Sequence, residues 1–223
     1  MKYGVLYIVA TPIGNFQDIT LRALDILRKV DLVVCEELRQ GSTLLKKLGI
    51  VGKTILTLNE HNEAEQIPDL LIHLRNGKSL ALISDCGTPA FADPGAALLE
   101  QSIMQGIKVV PIPGPSSLIA ALSISPIPLK EFFFAGFLPR KDDERITKLK
   151  NLHGLKSPLV LMDTPYRLSK LLEEVEKVFG GNRIITLALD LTLPGELILN
   201  GPIKEIKAMI QARKGEFVLI VHR

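Results

Sequence analysis

The chain has 223 residues, 47% of them hydrophobic, with 27 Lys and Arg against 24 Asp and Glu for a net charge of +3. That length buries a sizeable core and lies between one large domain and two small ones, while the balanced charge excludes a disordered chain and a polybasic, histone-like nucleic-acid binder, leaving room only for a local basic patch. Aromatics are 5% and Trp is absent, whereas there are 17 Gly and 14 Pro; aliphatic elements joined by tight connections favour α/β over a helical bundle.

The apolar run after Met1-Lys2 breaks into Thr11-Pro12-Ile13-Gly14-Asn15 with no small-x-small cleavage site, so residues 5–10 read as a first strand rather than a signal peptide. Residues 19–30 place Ile19, Ala23, Ile26, Leu27 and Val30 at helical spacing. A second strand is predicted over 32–35, a short helical face at Leu44, Leu45 and Leu48, a third strand over 54–58, and an amphipathic helix over 64–74 after His61-Asn62-Glu63. The fourth strand covers 80–84. Asp93 before Pro94 predicts a capped helix start running to about Gln105, and residues 107–112 a fifth strand. Strands joined by helical crossovers imply a mostly parallel sheet with helices on both faces.

Ser125-Pro126-Ile127-Pro128 suits neither a helix nor a central strand. It is read as the connection between an N-terminal domain, 1–124, and a C-terminal domain, 125–223. The second begins with a strand (131–135), a helix (143–152), a strand (159–162) and a helix (165–179) capped by Thr164. Strands near 183–189 and 196–199, a helix over 204–213 and a last strand over 217–221 follow, and imply a mixed sheet. No stretch approaches the roughly 20 apolar residues of a membrane span. Cys35 and Cys86 lack CxxC or Cys/His spacing, so they fit buried free thiols of a reducing cytoplasm better than a disulfide or metal site.

Ligands of open α/β sheets bind where strands end at their carboxyl side, which joins the loops after strands one, four and five. Those loops are residues 10–15, 84–95 and 111–117, rich in Gly, Pro and Ser, and Ser116 and Ser117 fall at a helix start with free amide donors. A dinucleotide fingerprint fails, since Thr11-Pro12-Ile13-Gly14-Asn15 holds one glycine, and no GxxxxGK[ST] phosphate loop occurs.

Taken together, Leu6-Tyr7-Ile8-Val9-Ala10-Thr11-Pro12-Ile13-Gly14-Asn15 with Asp18-Ile19-Thr20, Ile83-Ser84-Asp85-Cys86-Gly87-Thr88-Pro89 on to Gly95, residues 111–117, and Gly136-Phe137-Leu138-Pro139-Arg140-Lys141 are specific. They closely resemble the small-subunit ribosomal RNA methyltransferase I family, the cytidine 2′-O-ribose branch of the tetrapyrrole methylase superfamily. The likeness spans almost the whole chain, including His61-Asn62-Glu63 and Gly215-Glu216-Phe217-Val218-Leu219. It implies a two-lobed fold, S-adenosylmethionine folded into the cleft between the lobes, a homodimer, and a cytidine of small-subunit (16S) rRNA or of the ribosomal subunit as substrate.

Carried over by position, Pro12, Gly87, Thr88, Pro89, Phe91, Ala92, Ser116 and Ser117 would line the cofactor, and Met162, with Leu189 and Asp190 at the next strand end, would pack near its adenosine. Methyl transfer from a sulfonium is an in-line displacement that needs alignment and exclusion of water but no metal. A ribose hydroxyl gains from an acceptor within about 3 Å. Asp85 and Asn15 are the chosen polar groups, with Glu36 and His61 as further candidates; Asp and Asn at such bends also serve as turn caps. Arg39, Arg140, Lys141, Arg145 and Arg167 are placed toward RNA, although 140–145 alternates in sign as a solvated helix start would.

The chain departs from the family pattern at Glu36-Glu37-Leu38-Arg39, usually Glu-Asp-Thr-Arg, at Leu189-Asp190-Leu191-Thr192-Leu193, usually Arg-Glu-Leu-Thr-Lys, and in ending at its final strand. Two alternatives therefore stay open: a tetrapyrrole-type or other small-molecule methylase, and a non-enzymatic interaction protein on a methylase scaffold.

Overall fold

The computed structural model describes residues 3–91, 93–211 and 213–223. It divides into two compact units, residues 1–116 and 117–223. In the first, β1 (Val5–Val9), β2 (Leu32–Cys35), β3 (Thr54–Thr57), β4 (Leu80–Ile83) and β5 (Lys108–Ile112) alternate with α1 (Leu21–Lys29), α2 (Leu38–Lys47), α3 (Glu63–Arg75) and α4 (Ala96–Met104). All the strand pairings are parallel, in the order β3-β2-β4-β1-β5.

The two-residue period of the strands builds two cores from one sheet. Leu32 and Val34 of β2 and Leu80 and Leu82 of β4 face a cluster with Leu70, Leu74 and Leu98. Their neighbours Val33, Cys35, Ala81 and Ile83 face Leu27, Leu44 and Leu45 on the other side. Burying both faces explains why these strands read as unbroken apolar runs. Thr20 starts α1 by accepting the Ala23 amide at 3.1 Å, a cap that satisfies one of the free donors of the first turn.

The second unit carries α5 (Ser117–Ser123), β6 (Phe133–Phe137), α6 (Asp142–His153), β7 (Leu159–Asp163), α7 (Leu168–Phe179), β8 (Ile184–Leu189), β9 (Leu197–Pro202), α8 (Ile203–Ile210) and β10 (Phe217–Val221). Its order is β6-β7-β10-β8-β9, with β6 and β7 parallel and the other pairs antiparallel, the expected mixed sheet. Phe217, Leu219 and Val221 face the core with α6, α7 and α8, whereas Val218 and Ile220 pack with Ala121 of α5.

Four expectations are corrected. The divide between units falls before α5 rather than at Ser125-Pro126-Ile127-Pro128, because Ala121 packs against the second sheet. Asp93 and Pro94 do not start α4: Gly95, at φ 111°, precedes Ala96, and the Asp93 carboxylate is used by Ser84 instead. β6 begins two residues later than its apolar pattern indicates and carries a register shift between Phe134 and Gly136, where Gly136 has φ 58°. Thr164 makes no side-chain cap, and Pro165–Arg167 form a 3-10 turn ahead of α7. Among the described residues, no helix is long and apolar enough to cross a membrane.

Candidate active site

Because the first sheet is all parallel, the loops after β1, β2, β4 and β5 leave from one edge, and short bonds fasten them together. Thr11 and Gly87 form an antiparallel bridge, Thr11 donating its amide to Gly87 O at 2.8 Å and accepting the Gly87 amide at 3.2 Å. The fully buried Thr11 hydroxyl adds a bond to Ser84 O at 3.1 Å. Thr88 Oγ1 donates to Pro115 O at 3.3 Å, linking the β4 loop to the β5 loop. The Glu37 amide donates to Asp85 Oδ1 at 3.4 Å, linking the β2 and β4 loops.

Two glycines are required by this assembly. Gly87 has φ 82°, a region that disfavours residues with a Cβ. A Cβ on Gly114 would lie 3.0 Å from the Ala10 Cβ and 3.3 Å from its carbonyl oxygen, so the β5 loop approaches the β1 loop closer than any side chain allows without a shift.

A hollow of about 150 Å³ opens at this edge, lined by Pro12, Ile13, Gly14, Phe16, Gln40, Thr43, Leu44, Asp85 and Cys86. Its surroundings are acidic. Burial pushes the Asp85 carboxyl above the ordinary range, and the charges of Glu37 and Asp93 push the same way against the Glu37 amide. Glu36 is raised by burial and then by Asp85, Asp93, Glu60 and Glu37. Asp93 is raised by burial although Ser84 Oγ bonds its Oδ2 at 2.6 Å. Partial burial in a group of like charges favours the protonated form of each. Cys35 is buried, its thiol pushed up to about 11 chiefly by burial, whereas Cys86 is exposed, against the expectation of two buried thiols.

The structure thus brings Pro12, Asp85 and Gly87 to one edge of the first unit. Thr88 and Phe91 are exposed on the same loop, and Pro89 is buried in it. Ala92 lies outside the described residues. Ser116 ends the first unit and Ser117 opens α5 of the second. Asn15 serves as a turn cap: its Oδ1 accepts the Gln17 amide at 3.0 Å at the head of the 3-10 turn Phe16–Asp18. His61 is exposed, and its amide donates to Asn59 Oδ1 at 3.1 Å. Arg39 is exposed on the first turn of α2.

In the second unit Met162 is half-buried against Val160, Ala188 and Val218. Leu189 is fully buried in the core with Phe217 and Leu219. Asp190 accepts the Glu216 amide at 3.1 Å and pairs with Arg213 at 3.2 Å. Arg140 and Lys141 are exposed, Lys141 pairing with Glu144 at 3.0 Å. Arg167 donates to Pro139 O at 2.9 Å and pairs with Asp163 at 3.3 Å. Arg145 is corrected outright, because it is 1% exposed and paired with Glu174. Sequence reasoning missed Thr11 and Glu174. A threonine closing an apolar strand is a faint signal for the first, and none marked the second among the acids of α7.

The chain resembles known proteins over nearly its full length. A family model described as Tetrapyrrole (Corrin/Porphyrin) Methylases matches residues 5–207. Ribosomal RNA small subunit methyltransferase I of Mesorhizobium japonicum is 43% identical over 97% of this chain and 74% of its own length. The proteins of that name from Vibrio cholerae and Escherichia coli O157:H7 are 42% and 41% identical, each over 98% of this chain and 77% of the relative. The chain belongs to the ribosomal RNA small subunit methyltransferase I family of tetrapyrrole methylases. This family membership makes it a methyltransferase and sets aside the non-enzymatic alternative. A solved structure, the uroporphyrin-III-C-methyltransferase of Thermus thermophilus, superposes with a TM-score of 0.65 at 22% identity over 98% of this chain and 94% of that one, which shows the shared fold.

Proposed function

We propose that this methyltransferase uses S-adenosylmethionine to methylate the 2′-hydroxyl of a cytidine in small-subunit rRNA. The observation that carries the reading is identity above 40% over almost the whole chain to three proteins bearing one rRNA methyltransferase name. The stapled edge of the first unit supports it. Main-chain groups held by the Thr11–Gly87 bridge, a positive φ at Gly87, and Gly114 where a Cβ would crowd the β1 loop suit a ligand that must approach the backbone closely.

S-adenosylmethionine, when bound, supplies the electrophilic methyl group. Pro12, Gly87, Thr88, Pro89, Phe91, Ala92 and Ser116, with Ser117 and Met162, are the residues that would hold it. Asp85 is the group to accept the ribose hydroxyl proton, since its carboxyl lines the hollow where the β1, β2 and β4 loops meet and its affinity for a proton is raised above the ordinary carboxylate range. Asn15, on the neighbouring loop, orients and is less direct. Arg39, Arg140 and Lys141 would meet phosphates, which makes RNA binding salt-dependent. A homodimer in the cytoplasm belongs to the same proposal and is checked by the mass of the protein in solution and by fractionation.

The test is a map of rRNA 2′-O-methylation in a strain lacking the gene and in the same strain with the gene restored. The expected result is one methylated cytidine lost and recovered. Unchanged rRNA would overturn the proposal and favour a small-molecule substrate.

A further inference from the structure

The segment between β6 and α6 carries the two exposed cations Arg140 and Lys141, and its main chain is held from inside the protein. Arg145 spends all five of its N–H donors within this unit. Its Nε and Nη2 meet Glu174 Oε2 and Oε1 at 2.5 and 2.6 Å. The second Nη2 hydrogen reaches Asp142 Oδ1 at 2.8 Å, and Nη1 reaches the carbonyls of Pro139 and Arg140 at 3.2 and 2.9 Å. Arg167, itself paired with Asp163, donates to the same Pro139 carbonyl at 2.9 Å.

A buried pair of this kind is a poor source of stability. Taking Arg145 and Glu174 out of water costs much of what their attraction returns, and apolar residues of similar volume often serve the fold as well. What apolar residues cannot supply is a rigid planar fork that grips two successive carbonyls and a carboxylate at once. Nothing else in the described residues fixes both carbonyls of this segment. The arrangement is therefore suited to setting the path of the chain that ends in Arg140 and Lys141.

We infer that Arg145, seated on Glu174, is a positioning residue for substrate: it fixes the main chain at Pro139 and Arg140 so that Arg140 and Lys141 meet the RNA backbone in one geometry. This rests on the rRNA reading above. It assigns Arg145 no contact with RNA, in contrast to the position expected from sequence.

The experiment compares the full-length protein with the double variant Arg145→Met/Glu174→Leu, which removes both buried charges together, and with Arg145→Lys, which keeps the charge and loses the fork. Small ribosomal subunits lacking the modification serve as substrate, and amide hydrogen exchange is followed over residues 137–141. The expected result is a folded protein with unchanged S-adenosylmethionine affinity, faster exchange in that segment, and a KM for subunits raised about tenfold to a hundredfold with kcat affected far less. Should the double variant fold poorly, Arg145→Lys must show the same split. An unchanged KM in a folded variant, with or without faster exchange, would overturn the inference. Wild-type protein that methylates no subunits would instead overturn the rRNA reading, and exchange would still report whether Arg145 holds the segment.

Discussion

The edge of the first sheet and the β6–α6 segment of the second unit are both loops fastened by hydrogen bonds, and they are built by opposite means. At the first, main chain and a short hydroxyl hold main chain: the Thr11–Gly87 bridge, Thr88 Oγ1 on Pro115 O and the close pass of Gly114 over Ala10 leave backbone groups and small residues at an acidic edge. At the second, a buried guanidinium holds the main chain and leaves two cations outside. A surface made of backbone and glycine suits close approach of a compact cofactor. One made of long cations on a fixed base suits a phosphate chain, whose charges are spaced and solvated.

The comparison is broken most severely at Gly87. Gly87→Arg should abolish S-adenosylmethionine binding in calorimetry, because the position has φ 82° and faces Ile13; full binding by that variant would contradict the placement of the cofactor on these loops. Asp85→Ala should lower kcat about a hundredfold or more with little change in cofactor affinity, and an unaltered kcat would remove Asp85 from the chemistry. Thr11→Val keeps the shape and strips the hydroxyl from Ser84 O and Gly87 O, so denaturant unfolding should show a loss of about 1–3 kcal/mol.

The smallest effect concerns the acidic edge itself. Glu36 binds its proton more tightly in the folded protein than in the unfolded chain, so its contribution to stability is fullest below the ordinary glutamate value of about 4.3 and is lost as pH rises through the higher folded value. Glu36→Gln should therefore raise Tm at pH 7 by about a degree or two, screening by solvent keeping the gain small. The gain should shrink toward pH 4. A variant less stable at pH 7 would show that Glu36 has a favourable partner instead.

Most of the fold was legible because its strands are apolar and short, and its helices carry one apolar stripe. β2 and β10 fall where the residue pattern puts them, and both sheets have the expected directions. Element starts were harder where a loop competes for the capping residue. Asp93 looks like a helix cap from its neighbour Pro94, yet Ser84, nine positions earlier in sequence, claims its carboxylate. The site was legible as loops and illegible as contacts. Gly87 and Asp85 lie where strand order sends them, whereas Arg145 sits in an alternating charged run that reads as a solvated surface. Only packing of α6 on α7 reveals that it points inward to Glu174. The burial of Leu189 was hidden for a related reason, since a strand end does not tell which face its last side chain takes.

The central claim is methyl transfer to a ribose of small-subunit rRNA, and purified protein tests it most directly. Small ribosomal subunits lacking the modification would be incubated with S-adenosylmethionine labelled in its methyl group, and the RNA digested to nucleosides for mass spectrometry. The account predicts label in 2′-O-methylcytidine. Label on a base, or none in RNA while the protein binds S-adenosylmethionine, would contradict it.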